Sequence, residues 1–447
     1  MKRPAVLPEV GGGTGPAPAV ILGRADGIWA CTLAREWQKR GVPTVIVSTV
    51  VHGPLPSDIP VVIVRWSDRP WVARLRRAAY PLMTWLQRWL VRRGTARFAA
   101  VAGAASPDRW EYDFIEPFWN ALLLSRAASR LHPRFVLGQE VHSHGLATAL
   151  CRGPRYLFPW GSDVFTVIET SFPMKAMVTW ALRRADLIVP TAATATGYLS
   201  SRFRISPSRI RPLSWGVDLR LFRPTPAADK AALRRRLGLP PEAKIVINAR
   251  RFLPQWQSDT VLEAFIDCAR RRADAHLVMI GGLYAEGEVA QARQRIASAG
   301  LASRFTFAGD LQLPDYRDHL SAADVFVSMN PRFDMRSVSV LQGLACGLVP
   351  VLSEHPEYRA MQAAGFDAVF VPARDADALS EAIRVVLADP ARFGPMVVGN
   401  ERYVAEHEDG ERQMGRLLDL LLYSADSLDL RRDSASEGPG PPGARRN

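Results

Sequence analysis

The sequence predicts an α/β protein made of two doubly wound, Rossmann-like parallel-sheet domains facing across a cleft, and three observations carry that prediction. Short β-rich runs alternate with helical patterns in two successive series, as parallel sheets covered by helices require. The series are separated near residues 219–230 by a stretch holding Pro224 and Pro226. The chain also has 447 residues, beyond the ~250–300 at which one hydrophobic core stops growing.

The first series opens with a strand over 19–23, a glycine-bearing loop over 24–27 and a helix over 28–40 stopped by Gly41. A strand over 44–51 completes a βαβ unit, although its turn is not G-x-G-x-x-G. Further strands are expected at 61–65, 134–138, 155–159 and 187–191. The second series places strands at 244–248, 276–280, 305–307, 325–328 and 349–353. Its helices fall at 259–271, from Ser337 to a stop at Gly347, and at 376–387, with a last helix over 411–423. The domain boundaries that follow are an N-terminal domain over 1–222, a linker over 223–240 and a second domain over 241–397. A C-terminal helix over 398–424 precedes a tail over 425–447, expected to be disordered from its Pro, Gly, Ser and Arg content. In two such domains the carboxyl ends of both sheets border one crevice, where a ligand is expected.

Composition narrows the classes. The chain is 48% hydrophobic and 23% charged, that of an ordinary globular protein. Its net charge of +13 would suit nucleic acid or an anionic membrane. Only five of the 57 basic residues are lysine, however, and arginine-heavy usage equally marks a GC-rich genome. No nucleic-acid module accompanies the charge, so no nucleic-acid partner is expected. No run of ~18 uncharged apolar residues suggests a membrane span, and the Gly/Pro-rich N-terminal segment lacks the apolar core of a secretory signal. Cys31, Cys151, Cys268 and Cys346 lie far apart without metal-binding spacing, which fits a reduced, cytoplasmic setting.

The most informative segment is N-P-R-F-D-M-R-S-V-S-V-L-Q-G-L-A-C-G-L-V-P-V over 330–351. A strand runs into a loop with Asp334, and a helix starts with Ser337, Val338 and Ser339. Serines there cap orphan amides, and the positive helix end can hold a phosphate; an ordinary capped helix would look the same. A second segment, I-N-A-R-R-F-L-P-Q-W-Q-S-D-T-V-L-E-A-F over 247–265, places Arg251 just beyond a strand, where it is either an anion contact or a surface arginine.

These two segments resemble the nucleotide-sugar glycosyltransferases of family 4, which have the GT-B fold. The family's E-G-F-x-L-x-x-L-E-A-M-A-C-G-x-P-V starts on Asp334, with Asp334 and Gln342 at its two acidic positions and Gly343-Leu344-Ala345-Cys346-Gly347 following. A branch with D-x-x-S-x-S matches Asp334, Ser337 and Ser339. The second segment is similar to G-R-L-x-P-x-K-G-x-D-x-L-I-x-A-F, with Trp256 and Gln257 in place of the usual Lys-Gly. Further echoes occur in family order: Trp160-Gly161-Ser162-Asp163, Trp215-Gly216-Val217-Asp218, Gly281-Gly282, and Phe305-Thr306-Phe307-Ala308-Gly309.

The resemblance implies transfer of a sugar, with retention at the anomeric centre, from a nucleotide diphosphate-sugar to the hydroxyl of a carbohydrate or lipid-linked acceptor. Such an activity would serve cell-surface glycan or glycolipid synthesis. It implies Asp334 at the donor sugar, Arg251 with Ser337, Val338 and Ser339 at the diphosphate, and Gln342 at the ribose. Gly281 and Gly309 would border the donor. Gly23, Asp26, Gly27 and His142 would form an acceptor-side loop, with His144 as the histidine approaching the transferred sugar; a purely structural role for His144 stands equally.

A D-x-D that could hold a metal occurs at Asp375-Ala376-Asp377, where it reads as a helix-opening pair. Metal-independent transfer without cofactor is therefore expected. Residues 71–93 combine helically spaced Trp and Leu with arginines, the composition of either an interfacial helix or a basic helix packed on its own domain. The first would bring the protein to the cytoplasmic face of an anionic membrane. Two rivals remain, a non-catalytic nucleotide-sugar-binding GT-B protein and a GT-B nucleotide-sugar epimerase.

Overall fold

The computed structural model describes residues 16–25, 27–49, 51, 53–65, 74, 77–79, 81, 82, 85, 115–169, 172–250, 252, 256–281, 286–330 and 335–436. The N-terminal sheet contains β1 (Ala19–Leu22), β2 (Thr44–Ser48), β3 (Val61–Ile63), β4 (Phe135–Gln139), β5 (Arg155–Phe158) and β6 (Leu187–Ile188), all parallel, in the order β3-β2-β1-β4-β5-β6. The second sheet contains β7 (Lys244–Asn248), β8 (Ala275–Ile280), β9 (Phe305–Gly309), β10 (Val325–Ser328), β11 (Val349–Ser353) and β12 (Val369–Val371), in the order β12-β11-β10-β7-β8-β9. Renumbered from its own first strand, this sheet has the strand order of the first. In each, the order reverses between the first and fourth strands, and parallel sheets bind ligands outside the carboxyl ends at that point.

Continuous apolar runs explain why these strands are central. Ala19, Val20, Ile21 and Leu22 are wholly buried, as are Ile245, Val246 and Ile247. A strand covered by helices on both faces has no polar side to alternate. Gly343, on the helix Val338–Ala345, allows that helix to lie close to its sheet: a Cβ there would meet the Phe326 ring at 2.7 Å.

The chain crosses between domains twice. The outgoing segment passes Trp215, Gly216 and Val217, and the returning segment passes Glu408 and Gly410. Val217 N donates to Glu408 O at 2.7 Å, and Gly410 N donates to Val217 O at 2.8 Å. Gly216 has φ +70°, and a Cβ on it would lie 2.6 Å from Gly410 Cα, so neither strain nor space admits a side chain.

The C-terminal residues differ from the sequence expectation. The last helix runs Gly410–Ser436, through the segment expected to be a disordered tail from 425, and returns to the N-terminal domain. Met414, Leu417, Leu418 and Leu421 join Ala19, Trp37, Phe135 and Tyr156 in one core cluster. Tyr156 OH donates to Leu421 O at 2.9 Å, and Arg134 pairs with Asp426 at 2.8 Å. Each buried Leu or Met contributes roughly 1.5–3 kcal/mol, enough to hold a helix whose later residues are polar. β12 is likewise absent from the sequence reading; at three residues it is too short to show a period.

Of the basic segment 71–93, Leu82 and Trp85 are exposed at 68% and 62%, while Trp71, Arg88, Trp89 and Arg92 lie outside the described residues. Among the described residues, no helix is long and apolar enough to cross a membrane.

Candidate active site between the two sheets

A cavity of about 380 Å³ opens between the domains where both sheets reverse order, lined by residues that follow β4, β5, β7 and β10. On its N-terminal side, β4 runs into a π-helical turn, Glu140–Gly145. Glu140 has φ +67°, unusual for a side-chain-bearing residue, and its carboxylate accepts from Ser143 Oγ at 2.8 Å. Val141 N donates to Asp163 Oδ2 at 2.7 Å, while Trp160 N and Gly161 N donate to Asp163 Oδ1 at 3.0 and 2.8 Å. One buried carboxylate thus ties the loop after β4 to the loop after β5. Burial pushes the Asp163 pKa upward, opposed chiefly by the nearby His142 and by the Val141 amide.

The turn sends its two histidines in different directions. His142 lines the cavity, and its buried Nδ1 has no hydrogen-bond partner among the described residues. His144 is 7% exposed, with Nδ1 2.7 Å from Gln139 O, and burial lowers its pKa. Residues two apart share a side in extended backbone, but this backbone is helical. His142 thus lines the cavity, while His144, the histidine preferred from sequence, is buried beside Gln139.

Three indoles complete this wall. Trp29 and Trp215 have ring centroids 4.9 Å apart, Trp29 and Trp160 6.5 Å, and Trp160 and Trp215 5.9 Å. Trp215 leans on the buried Phe158 at 4.1 Å.

The opposite wall carries a helix start and an arginine. Ser337, Val338 and Ser339 line the cavity at the start of the helix Val338–Ala345. Ser337 is the N-cap by position, but its hydroxyl makes no capping bond and instead lies 3.0 Å from Ser339 Oγ. First-turn amides have no intrahelical partner and carry partial positive charge. Beyond β7, Arg250 donates from Nη2 to Asn330 Oδ1 at 2.9 Å, and its guanidinium lies 4.6 Å from the Trp256 ring centre. Asn330 is wholly buried, held by Ser328, Ser353 and Tyr358. Gln257, with φ +52°, donates to Asn330 O and accepts from Arg374 N.

Arg336, next to the helix start, joins the parts. Its Nε and Nη2 donate to Glu357 Oε1 at 3.0 and 2.6 Å, and its Nη1 donates to Glu408. Glu357 Oε2 accepts from the Thr194 amide and hydroxyl, from the N-terminal domain. Both carboxylates are wholly buried. The arginine is desolvated too, which lowers its pKa; Glu408 and then Glu357 outweigh that and raise it overall.

A second cavity of about 330 Å³ shares Trp29 and Trp215 with the first. It is mostly apolar, with Leu219, Leu221, Phe222, Leu311 and Leu313 among its lining. Gln342 borders it, with Oε1 accepting from Tyr316 OH at 3.0 Å.

The structure thus brings Ser337, Val338, Ser339 and His142 to one cavity and Gln342 to its neighbour. Asp334, Arg251 and Asp26 lie outside the described residues. Gly281 and Gly309 meet at strand ends, N to O at 3.0 Å, and line neither cavity; nor do Gly23 and Gly27. Arg250, Arg336 and Trp29 were not singled out from sequence. Arg250 adjoins Arg251 in a doublet, whereas nothing local marks Arg336 or Trp29. Asp375, of the D-x-D, accepts from Ala378 N at 2.9 Å as a helix cap. Among the described residues, no three His, Cys, Asp or Glu side chains are placed to hold a metal ion.

Two facing sheets of this order, with a helix end and cationic side chain across from a histidine-bearing loop, define a GT-B protein. Residues 229–397, most of the second domain, match the family model described as "Glycosyl transferases group 1". It is similar to a GDP-mannose-dependent α-(1-6)-phosphatidylinositol monomannoside mannosyltransferase of Mycolicibacterium smegmatis, 27% identical over 57% of this chain and 67% of that one. It is also similar to a D-inositol 3-phosphate glycosyltransferase of Thermobispora bispora, 27% identical over 49% of this chain and 52% of that one. The matches thus span between about half and two thirds of those relatives. The crystal structure of Anabaena Alr3699/HepE in complex with UDP and glucose is similar in fold, with TM-score 0.67 and 14% identity over 91% of this chain and 99% of that one.

Proposed function

We propose that the protein transfers a sugar, with retention of anomeric configuration and without a metal ion, from a nucleoside diphosphate-sugar to an acceptor hydroxyl. The observation that carries this reading is the cavity in which the Ser337–Val338–Ser339 helix start and Arg250 stand across from His142. The diphosphate would lie against the first-turn amides, the two serine hydroxyls and the guanidinium, which together offset the charge that grows on the leaving oxygen. The nucleoside would extend into the apolar cavity, with its ribose near Gln342. The sugar would then face His142, and Asp334 would meet its hydroxyls by family resemblance. Donors fixed before reaction lower the barrier because they need no reorganisation as charge develops.

Metal independence is supported by Asp375 being occupied as a helix cap, with neither Asp375 nor Asp377 lining the cavity. The acceptor is proposed to be a carbohydrate or a lipid-linked polyol, in keeping with the relatives' phosphatidylinositol and inositol phosphate substrates. Association with the cytoplasmic face of an anionic membrane belongs to the same proposal; the exposed Leu82 and Trp85 support it.

The test is thermal shift with GDP, UDP, ADP and their common hexose conjugates, on the native chain and on Arg250→Ala. Stabilisation by at least one nucleoside diphosphate, lost in the variant, is expected. Absence of any shift across the panel would sink the donor assignment. Radiolabelled transfer from the stabilising donor, with and without chelator, then tests turnover and metal independence, and NMR of the product tests the anomeric outcome.

A further inference from the structure

Of the three indoles, only Trp160 stays outside the cavity proposed for the nucleoside, and the structure shows how the three are graded. Trp215 is 4% exposed on wholly buried Phe158, so it is a foundation. Trp160 is 37% exposed and lines the first cavity but not the second. Trp29 stands between the two, edge-on to Trp160 at an interplanar angle of 80°. Leaving an indole partly in water forfeits apolar burial, so an exposed indole held rigidly by two others suits a ligand surface.

What could cover it is narrowed by its neighbours. Glu140, His142, Ser162 and Thr191 share the cavity with Trp160. An acyl chain would strip water from those polar groups and offer them no hydrogen bond in exchange. A nucleobase is served by the second cavity, which Trp160 does not line. A ring polyol fits both features: one face of C–H bonds, slightly positive, lies on the negative indole face, while its hydroxyls reach the polar groups.

We propose that Trp160 is an acceptor-specificity residue, a stacking platform for a pyranose or cyclitol ring whose hydroxyl receives the transferred sugar. This rests on the glycosyltransferase reading above, and its test reads acceptor binding separately from donor binding.

Saturation-transfer NMR on the full chain uses methyl α-mannopyranoside, methyl α-glucopyranoside, myo-inositol and octyl β-glucopyranoside as probes. Saturation of ring protons is expected for at least one of the first three, and of ring more than chain protons in the octyl glycoside. Trp160→Ala is expected to weaken ring saturation about fivefold, and Trp160→Phe to keep a good part of it, as one aromatic contact should. Trp160 is partly exposed, so neither substitution opens a closed cavity. Nucleoside diphosphate thermal shifts should be the same in all three proteins. Octyl-chain saturation that dominates, ring signals unchanged in Trp160→Ala, or no ring saturation from any probe would overturn the platform. So would loss of nucleotide shift on Trp160→Ala, which would assign the indole to the donor. Loss of nucleotide shift in the native chain would instead strike the donor reading alone.

Discussion

The N-terminal wall of the cleft presents indoles, a histidine and the carboxylates of Glu140 and Asp163, whereas the C-terminal wall presents a helix start, two serines and an arginine. The walls come from sheets of the same strand order, so topology does not separate them. Loop chemistry does. Carboxylates repel a diphosphate, and a helix start attracts one. On the proposed function, an anionic donor would be sent to the second domain and a neutral polyhydroxy ring to the first, with the reacting bond between them.

Where the walls are joined, the largest effect is expected. Arg336→Ala strands Glu357 and Glu408 as buried carboxylates and cuts the tie from the donor helix to Thr194. Breaking a buried pair costs about 3–5 kcal/mol, to be read from denaturant unfolding. A loss below about 1 kcal/mol would mean that the walls are not coupled there.

Substitutions on single walls sharpen the contrast. His142→Ala is expected to lower kcat about a hundredfold while nucleoside diphosphate affinity stays as it was, as for a group that acts only as the bond breaks. Arg250→Ala is expected to do the reverse at the binding stage, weakening nucleoside diphosphate affinity about tenfold or more through loss of a charge-assisted contact. If both variants changed Kd alike, the division of labour would be wrong.

Acid should reveal a further asymmetry. Burial, aided by Arg304, holds His276 in the donor domain down to about 4. In the unfolded chain it titrates near 6.5, so the unfolded state takes up the proton first and stability falls as pH drops from 6.5 towards 4. This one group accounts for about 2 kcal/mol by pH 5. Unfolding midpoints measured between pH 7 and pH 5 should fall less in His276→Gln than in the native chain.

Much of the fold was legible because buried parallel strands are unbroken apolar runs, such as Val20–Ile21–Leu22 and Val325–Phe326–Val327, between punctuating glycines. The helix start proposed for the donor was legible for the same local reason: Ser337 and Ser339 open an apolar helix ended at Gly347. The wall proposed for the acceptor was not. Trp29, Trp160 and Trp215 lie far apart in sequence, and only the packing of three loops brings their rings together. His142 and His144 could not be told apart either, since their directions depend on a π-helical turn that the Asp163 carboxylate pins from 22 residues away.

By itself the sequence determined two repeats of a strand-and-helix grammar, their dividing point and the segment fitted to hold a phosphate, because periodicity, caps and glycines act over a few residues. Only the tertiary structure decided which histidine meets the cleft, that Arg336 links both domains, and that the final helix returns to the first. Those outcomes depend on contacts between distant segments, where burial and charge pairing outweigh local preference.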